Sequence, residues 1–70
     1  MKFLLIITMC SSIYANCMPP VQVEEIYDSH YDCALDGYNL SADIIENLKP
    51  NKVNADRIYL SFACKPMESS

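Results

Sequence analysis

Seventy residues, 51% of them hydrophobic, with four cysteines, one glycine and no tryptophan, hold one small domain at most and exclude a multidomain enzyme. Nine carboxylates against five cationic side chains give a formal net charge of -4. No basic stripe is left to neutralise phosphates, so nucleic acid and anionic membrane surfaces drop out, and neutral, apolar or cationic partners remain.

The chain opens with Met1 and Lys2, an apolar run from Phe3 to Cys10, and a small-residue exit, Ser11-Ser12-Ile13-Tyr14-Ala15. This is the pattern of a secretory signal peptide. The run is much shorter than the ~20 residues that span a bilayer, so it predicts export, with no membrane insertion of the mature chain. The expected division is a signal peptide over 1–17, cut after Ala15 or after Cys17, and a single domain over 18–70. The first cut leaves Cys17, Cys33 and Cys64, an odd count; the second leaves an even pair. Either places the protein in an oxidising, extracellular compartment.

Beyond Met18-Pro19-Pro20, Val23, Ile26, Tyr27, His30 and Ala34 recur at spacings of three and four, which predicts a first helix over Val21 to Asp36. Glu24 and Glu25 would favour its positive end, and Gly37 would end it in a left-handed cap. Ser41 is placed to cap a second, short helix reaching Leu48, with Leu40 closing over Ile45 as a hydrophobic staple. Lys49-Pro50-Asn51-Lys52 breaks the pattern. Asn54 then caps a third helix running to about Cys64, with Val53 stapled onto Ile58, and Pro66 stops it ahead of a frayed Lys65–Ser70 tail. The fold class expected is therefore all-α, three short helices, with neither a repeat nor a low-complexity tract.

Cys33 lies near the end of the first of these helices and Cys64 near the end of the third. A bridge between them would close a loop around the second and stabilise the domain by roughly 3–4 kcal/mol on the chain-entropy model.

The span from Cys33 to Cys64, with Gly37, Ser41-Ala42-Asp43-Ile44-Ile45 and Ala55-Asp56-Arg57-Ile58, resembles the N-terminal part of insect odorant-binding proteins, the pheromone- and general-odorant-binding family. In that family a first cysteine ends the first helix, and a second and third stand on the third helix with three residues between them. Cys64 takes the third position, and Leu60 stands where the second would be. The chain is similar in this to the C-minus subgroup, which lacks the second and fifth cysteines. The resemblance implies a Cys33–Cys64 bridge, a chain corresponding to the N-terminal half of a six-helix fold, and a role in olfaction carrying small hydrophobic odorants or pheromones. Family members continue for roughly as long again, and those further helices close the cavity.

The single histidine, His30, has no nucleophile at a spacing that would make it a catalytic base, so no catalytic residues and no enzyme are expected. No cofactor is expected either. Two distant cysteines and one histidine favour a disulfide over zinc, and Asp28, Asp32 and Asp36, spaced by four, read as a solvated acidic face rather than a calcium site. His30 reads as a packed or half-exposed side chain, with a pH-sensitive ligand gate as the alternative that the resemblance suggests. Asn39-Leu40-Ser41 is a glycosylation sequon, which makes Asn39 a candidate glycan site.

Ile26, Ile44, Ile45, Leu48, Ile58, Tyr59 and Phe62 are the candidate ligand-binding residues, with Tyr59, Tyr27 or His30 offering a polar group to orient the ligand. So small a helical domain would leave apolar faces exposed, which also predicts self-association. Two functions are consistent with these residues: a secreted carrier of small hydrophobic molecules, or a small disulfide-stapled secreted peptide, of venom or salivary type, acting on a protein target.

Overall fold

The computed structural model describes residues 2–67. The elements in chain order are β1 (Phe3–Ser11), β2 (Asn16–Cys17), β3 (Val21–Tyr27), α1 (His30–Asn47), α2 (Pro50–Asp56) and β4 (Ile58–Pro66). The architecture is thus a four-stranded antiparallel sheet with two helices, which overturns the all-α expectation.

The sheet is built on β1. β4 runs antiparallel to it over its whole length, from Phe3 opposite Pro66 to Ser11 opposite Ile58. The other edge of β1 is shared: Cys10 and Ser11 pair with Cys17 and Asn16 of β2, and Phe3 to Ile7 pair with Tyr27 to Val21 of β3. β2 and β3 are in effect one returning strand. The Met18 N–H still donates to the Met9 carbonyl at 2.8 Å, and the ladder then lapses at Pro19 and Pro20, which have no N–H to give. A register shift between Leu4 and Ile6 absorbs the extra residues of β3 around Glu24 and Glu25.

Side chains alternate across the sheet. Leu5 lies opposite Cys64 and Ile7 opposite Phe62, facing α1; Leu5 and Cys33 are fully buried, and Ile7 and Tyr27 nearly so. Phe3, Val23, Leu40, Ile44, Leu60, Phe62 and Cys64 pack around them. The core is one layer between the helix and a single sheet face.

Each departure from the helical expectation has a local cause. In Val21–Tyr27, Val21 and Val23 alternate with Gln22 and Glu24, and the β-branched and aromatic residues fit a pleated surface. Helix α1 begins only at His30, where Ser29 is the N-cap and its side chain accepts from the Asp32 N–H at 3.1 Å. Gly37 does not end a helix. It sits buried in mid-α1 with an ordinary negative φ, and Ser41 is likewise interior rather than a cap. The end expected near Leu48 is found, with Leu48 the C-cap of α1.

Pro50, expected as a breaker, occupies the first turn of α2. Arg57, left-handed at φ 48°, ends that helix. The expected third helix is instead β4. Ile58, Leu60, Phe62 and Cys64 are half-buried on alternate positions, whereas Tyr59, Ser61, Ala63 and Lys65 are exposed. Lys65 and Pro66 pair with Leu4 and Phe3 rather than fraying, and residues 68–70 of the expected tail lie outside the described residues.

Two disulfides staple this frame where one was expected. Cys33–Cys64 ties α1 to β4, and Cys10–Cys17 closes the β1–β2 hairpin. In this structure the segment read as an export signal holds β1, the turn over 12–15 and β2; Met1 lies outside the described residues.

Gly37 gives the sharpest test of the packing. A Cβ built on it would lie 2.5 Å from Cε1 and 2.9 Å from Cγ of Phe62, and that ring is held edge-on by Tyr38 at 4.8 Å between centroids. Gly to Ala inside a helix normally stabilises by about 1 kcal/mol. Here overpacking, typically about 1–3 kcal/mol, reverses the sign. Urea denaturation should show Gly37→Ala less stable than the parent, and Gly37→Ala with Phe62→Leu should recover part of the loss.

Candidate functional site

An apolar cleft of about 420 Å³ opens between α1 and the sheet. Ile7 and Met9 of β1, Val21 and Val23 of β3 and Leu60 of β4 form its floor, Leu40 and Ile44 of α1 one wall, and Met18 and Pro19 the rim. The geometry has a local origin. Leu40 and Ile44 are one helical turn apart and share a face, and Ile7, Met9 and Leu60 fall on the helix-facing positions of paired strands. The Pro19-Pro20 break lifts the chain out of the ladder and places Met18, 60% exposed, at the mouth.

Every lining side chain is aliphatic, a methionine or a proline. The cleft can therefore hold a neutral, apolar body by area and shape but supplies no side-chain charge to orient it. Met9 and Met18 are unbranched and can adapt to irregular shapes.

Among the sequence-expected ligand residues, Ile44 lies in this cleft. Ile45, Ile58 and Tyr59 line a shallower groove on the other side of α1, with Val53 and Ser41. Ile26, 52% exposed, belongs to a polar depression with Glu25, Tyr27, Asp28, Asp32 and Asp36. Phe62 is committed to packing beneath Gly37, and Leu48 is half-buried at the end of α1. The structure thus distributes the set over separate surfaces. The remaining cleft residues escape a reading that assigns β1 to a leader and Val21 and Val23 to a helix. The alternation of Val21 and Val23 with Gln22 and Glu24 is the signal that could have found the β3 pair; the continuous apolar run of β1 carries none.

The polar groups singled out from the sequence have structural partners. Asp28, just ahead of α1, pairs with Lys2, which holds its carboxyl below the usual range. Asp36 accepts from the Tyr27 hydroxyl at 2.6 Å. The three aspartates line one depression, in which Asp28 and Asp32 are exposed and Asp36 is half-buried against Tyr27. His30 is exposed, edge-on to Phe3 with ring centroids 5.7 Å apart. Asn39 is exposed on α1, and the Ser41 hydroxyl of the same sequon is buried without a hydrogen-bond partner.

Among the described residues no helix is long and apolar enough to cross a membrane, and the two disulfides are compatible with a secreted protein. Compared with protein-family models, curated proteins and solved structures, the chain matches none.

Tyr27 titrates far above the ordinary tyrosine range, first because burial disfavours the phenolate and then because the Asp36 carboxylate accepts a hydrogen bond from the neutral hydroxyl and would repel the anion. A folded-state pKa above the unfolded value means that the folded chain keeps this proton after the unfolded chain has lost it. The contribution is complete below the unfolded value near 10 and declines as pH rises beyond it. Chemical denaturation between pH 8 and 11 should show stability falling above about pH 10, with a shallower fall in Tyr27→Phe.

Proposed function

We propose that this chain is a secreted, disulfide-stapled binding protein that takes a small neutral apolar molecule between α1 and the sheet. The observation that carries the reading is the cleft itself. Its volume of about 420 Å³ lies in the range of ligand sites, and its lining is apolar throughout. Binding would be reversible burial of the ligand against Ile7, Val23, Leu40, Ile44 and Leu60, with no covalent step. The two disulfides fit export to an oxidising compartment.

The carrier role expected from the sequence is retained in this coarser form only. Odorants, pheromones and olfaction rest on a three-helix pattern, and the sheet takes the place of two of those helical segments. They form no part of the proposal, nor does an insect source. A peptide acting on a protein target is the second reading; it draws on the disulfide-closed hairpin, where Ile13 and Tyr14 are 52% and 69% exposed.

Titration of the oxidised protein with a neutral apolar fluorophore such as N-phenyl-1-naphthylamine should give saturable binding. Met18→Glu places a carboxylate at the rim without touching the buried core. It should weaken binding by about tenfold or more, a loss of about 1.4 kcal/mol, while thermal stability stays near that of the parent. Non-saturable binding, or equal affinity in the variant, would overturn the proposal. Tyr14→Ala, on the hairpin, should leave fluorophore affinity unchanged and would impair only a protein-directed activity.

A further inference from the structure

We infer that the Ala15–Asn16 peptide bond is a processing site, cut by an endopeptidase after folding, and that the two products stay together as one two-chain protein. Residues 12–20 are all exposed, and the loop Ser12–Ala15 joins β1 to β2 at one end of the sheet. Its anchors lie at its edges. The Ser12 N–H donates to the Arg57 carbonyl at 3.2 Å, Asn16 already pairs with Ser11, and between them the Tyr14 N–H reaches the Ser11 hydroxyl at only 3.4 Å. The other bond that the sequence offers for cutting, Cys17–Met18, lies between two residues held to β1, Cys17 opposite Cys10 and Met18 bonded to Met9, whereas Ala15–Asn16 is held on its Asn16 side only, with Ala15 in the turn.

The backbone at Ala15 points the same way. Its φ of 49° is left-handed, a conformation disfavoured for a residue with a Cβ, so hydrolysis releases a constrained backbone. Its methyl side chain suits an endopeptidase with a small primary pocket. Water adds across the amide: its oxygen goes to the Ala15 carbonyl carbon, the C–N bond breaks, and both of its protons end on the Asn16 nitrogen. Products are a carboxylate on Ala15 and an ammonium on Asn16, with no oxidant or reductant involved.

Cys10–Cys17 decides the fate of the cut chain. The bridge spans the loop, one sulfur in each product. The product 1–15 also keeps its full pairing with β4 and its pairing with β3, so it remains the middle strand.

The test is limited digestion of the full oxidised chain with pancreatic elastase, read by intact mass before and after reduction. The expected first product is heavier than the parent by one water and separates into 1–15 and 16–70 only on reduction, while the far-ultraviolet circular dichroism of the cut protein is unchanged. In Cys10→Ser with Cys17→Ser, 1–15 should come free in denaturant without reductant. The inference is overturned if the first cut falls elsewhere, if 1–15 leaves the parent without reduction, or if the folded loop resists while the reduced, unfolded chain is cut there.

Discussion

Among the described residues each of β2, β3 and β4 pairs with β1 and with no other strand, so the nine residues Phe3–Ser11 supply one side of every ladder there. The same strand carries the centre of the core. Leu5 is fully buried and Ile7 nearly so, each side chain worth about 1.5–3 kcal/mol when removed from water. Cys33–Cys64 lies inside this layer, with Cys33 fully buried, and draws α1 onto β4 at the point where Cys64 is paired with Leu5. In a domain this small, with a core on one sheet face only, strand pairing, burial and the covalent staple depend on one another.

The contact between Gly37 and Phe62 sets how close the helix can come. Without a side chain at 37 the ring of Phe62 lies against the helix backbone, and Tyr38 closes on it from the side. That approach fixes the depth of the layer and so the width of the cleft one turn further along, where Leu40 and Ile44 stand over Ile7 and Leu60. The cleft stays open because the walls above β3 end at Met18 and Pro19, where the proline pair has lifted the chain out of the ladder.

How much of this is legible in the sequence depends on the range of the interaction concerned. The Cys33–Cys64 bridge, which the resemblance implied, and the end of α1 at Leu48, marked by the Lys49-Pro50 stop, are both found. Gly37 misleads because a glycine near a helix end usually serves a left-handed cap, whereas its reason here is a ring 25 positions away in sequence. Val23, Ile26 and Tyr27 fit a helical stripe only because a register shift displaces the later members of a strand pattern. Ile58 to Cys64 alternates in burial, but Ser61 is its one polar residue, so the sequence shows no clean alternation and the helical frame continues past Arg57 unopposed. The left-handed turn at that residue is what ends the helix. Of the candidate ligand set only Ile44 reaches the cleft, since the other walls come from strands that read as leader or helix.

β1 poses the remaining question, because an export leader and a buried middle strand demand the same residues: a short, nearly uninterrupted apolar run. Composition does not separate the two uses; the order of events does. A cut at Ala15 made before folding would carry away Leu5, Ile7 and Cys10, leaving Cys17 without its partner and β3 and β4 with no strand between them. The same cut made after folding meets a run already held by two ladders and by Cys10–Cys17, and it costs the structure one exposed peptide bond. The small-residue exit at Ala15 is compatible with either order, but only the second keeps the apolar cleft, whose floor includes Ile7 and Met9 of the very segment at issue.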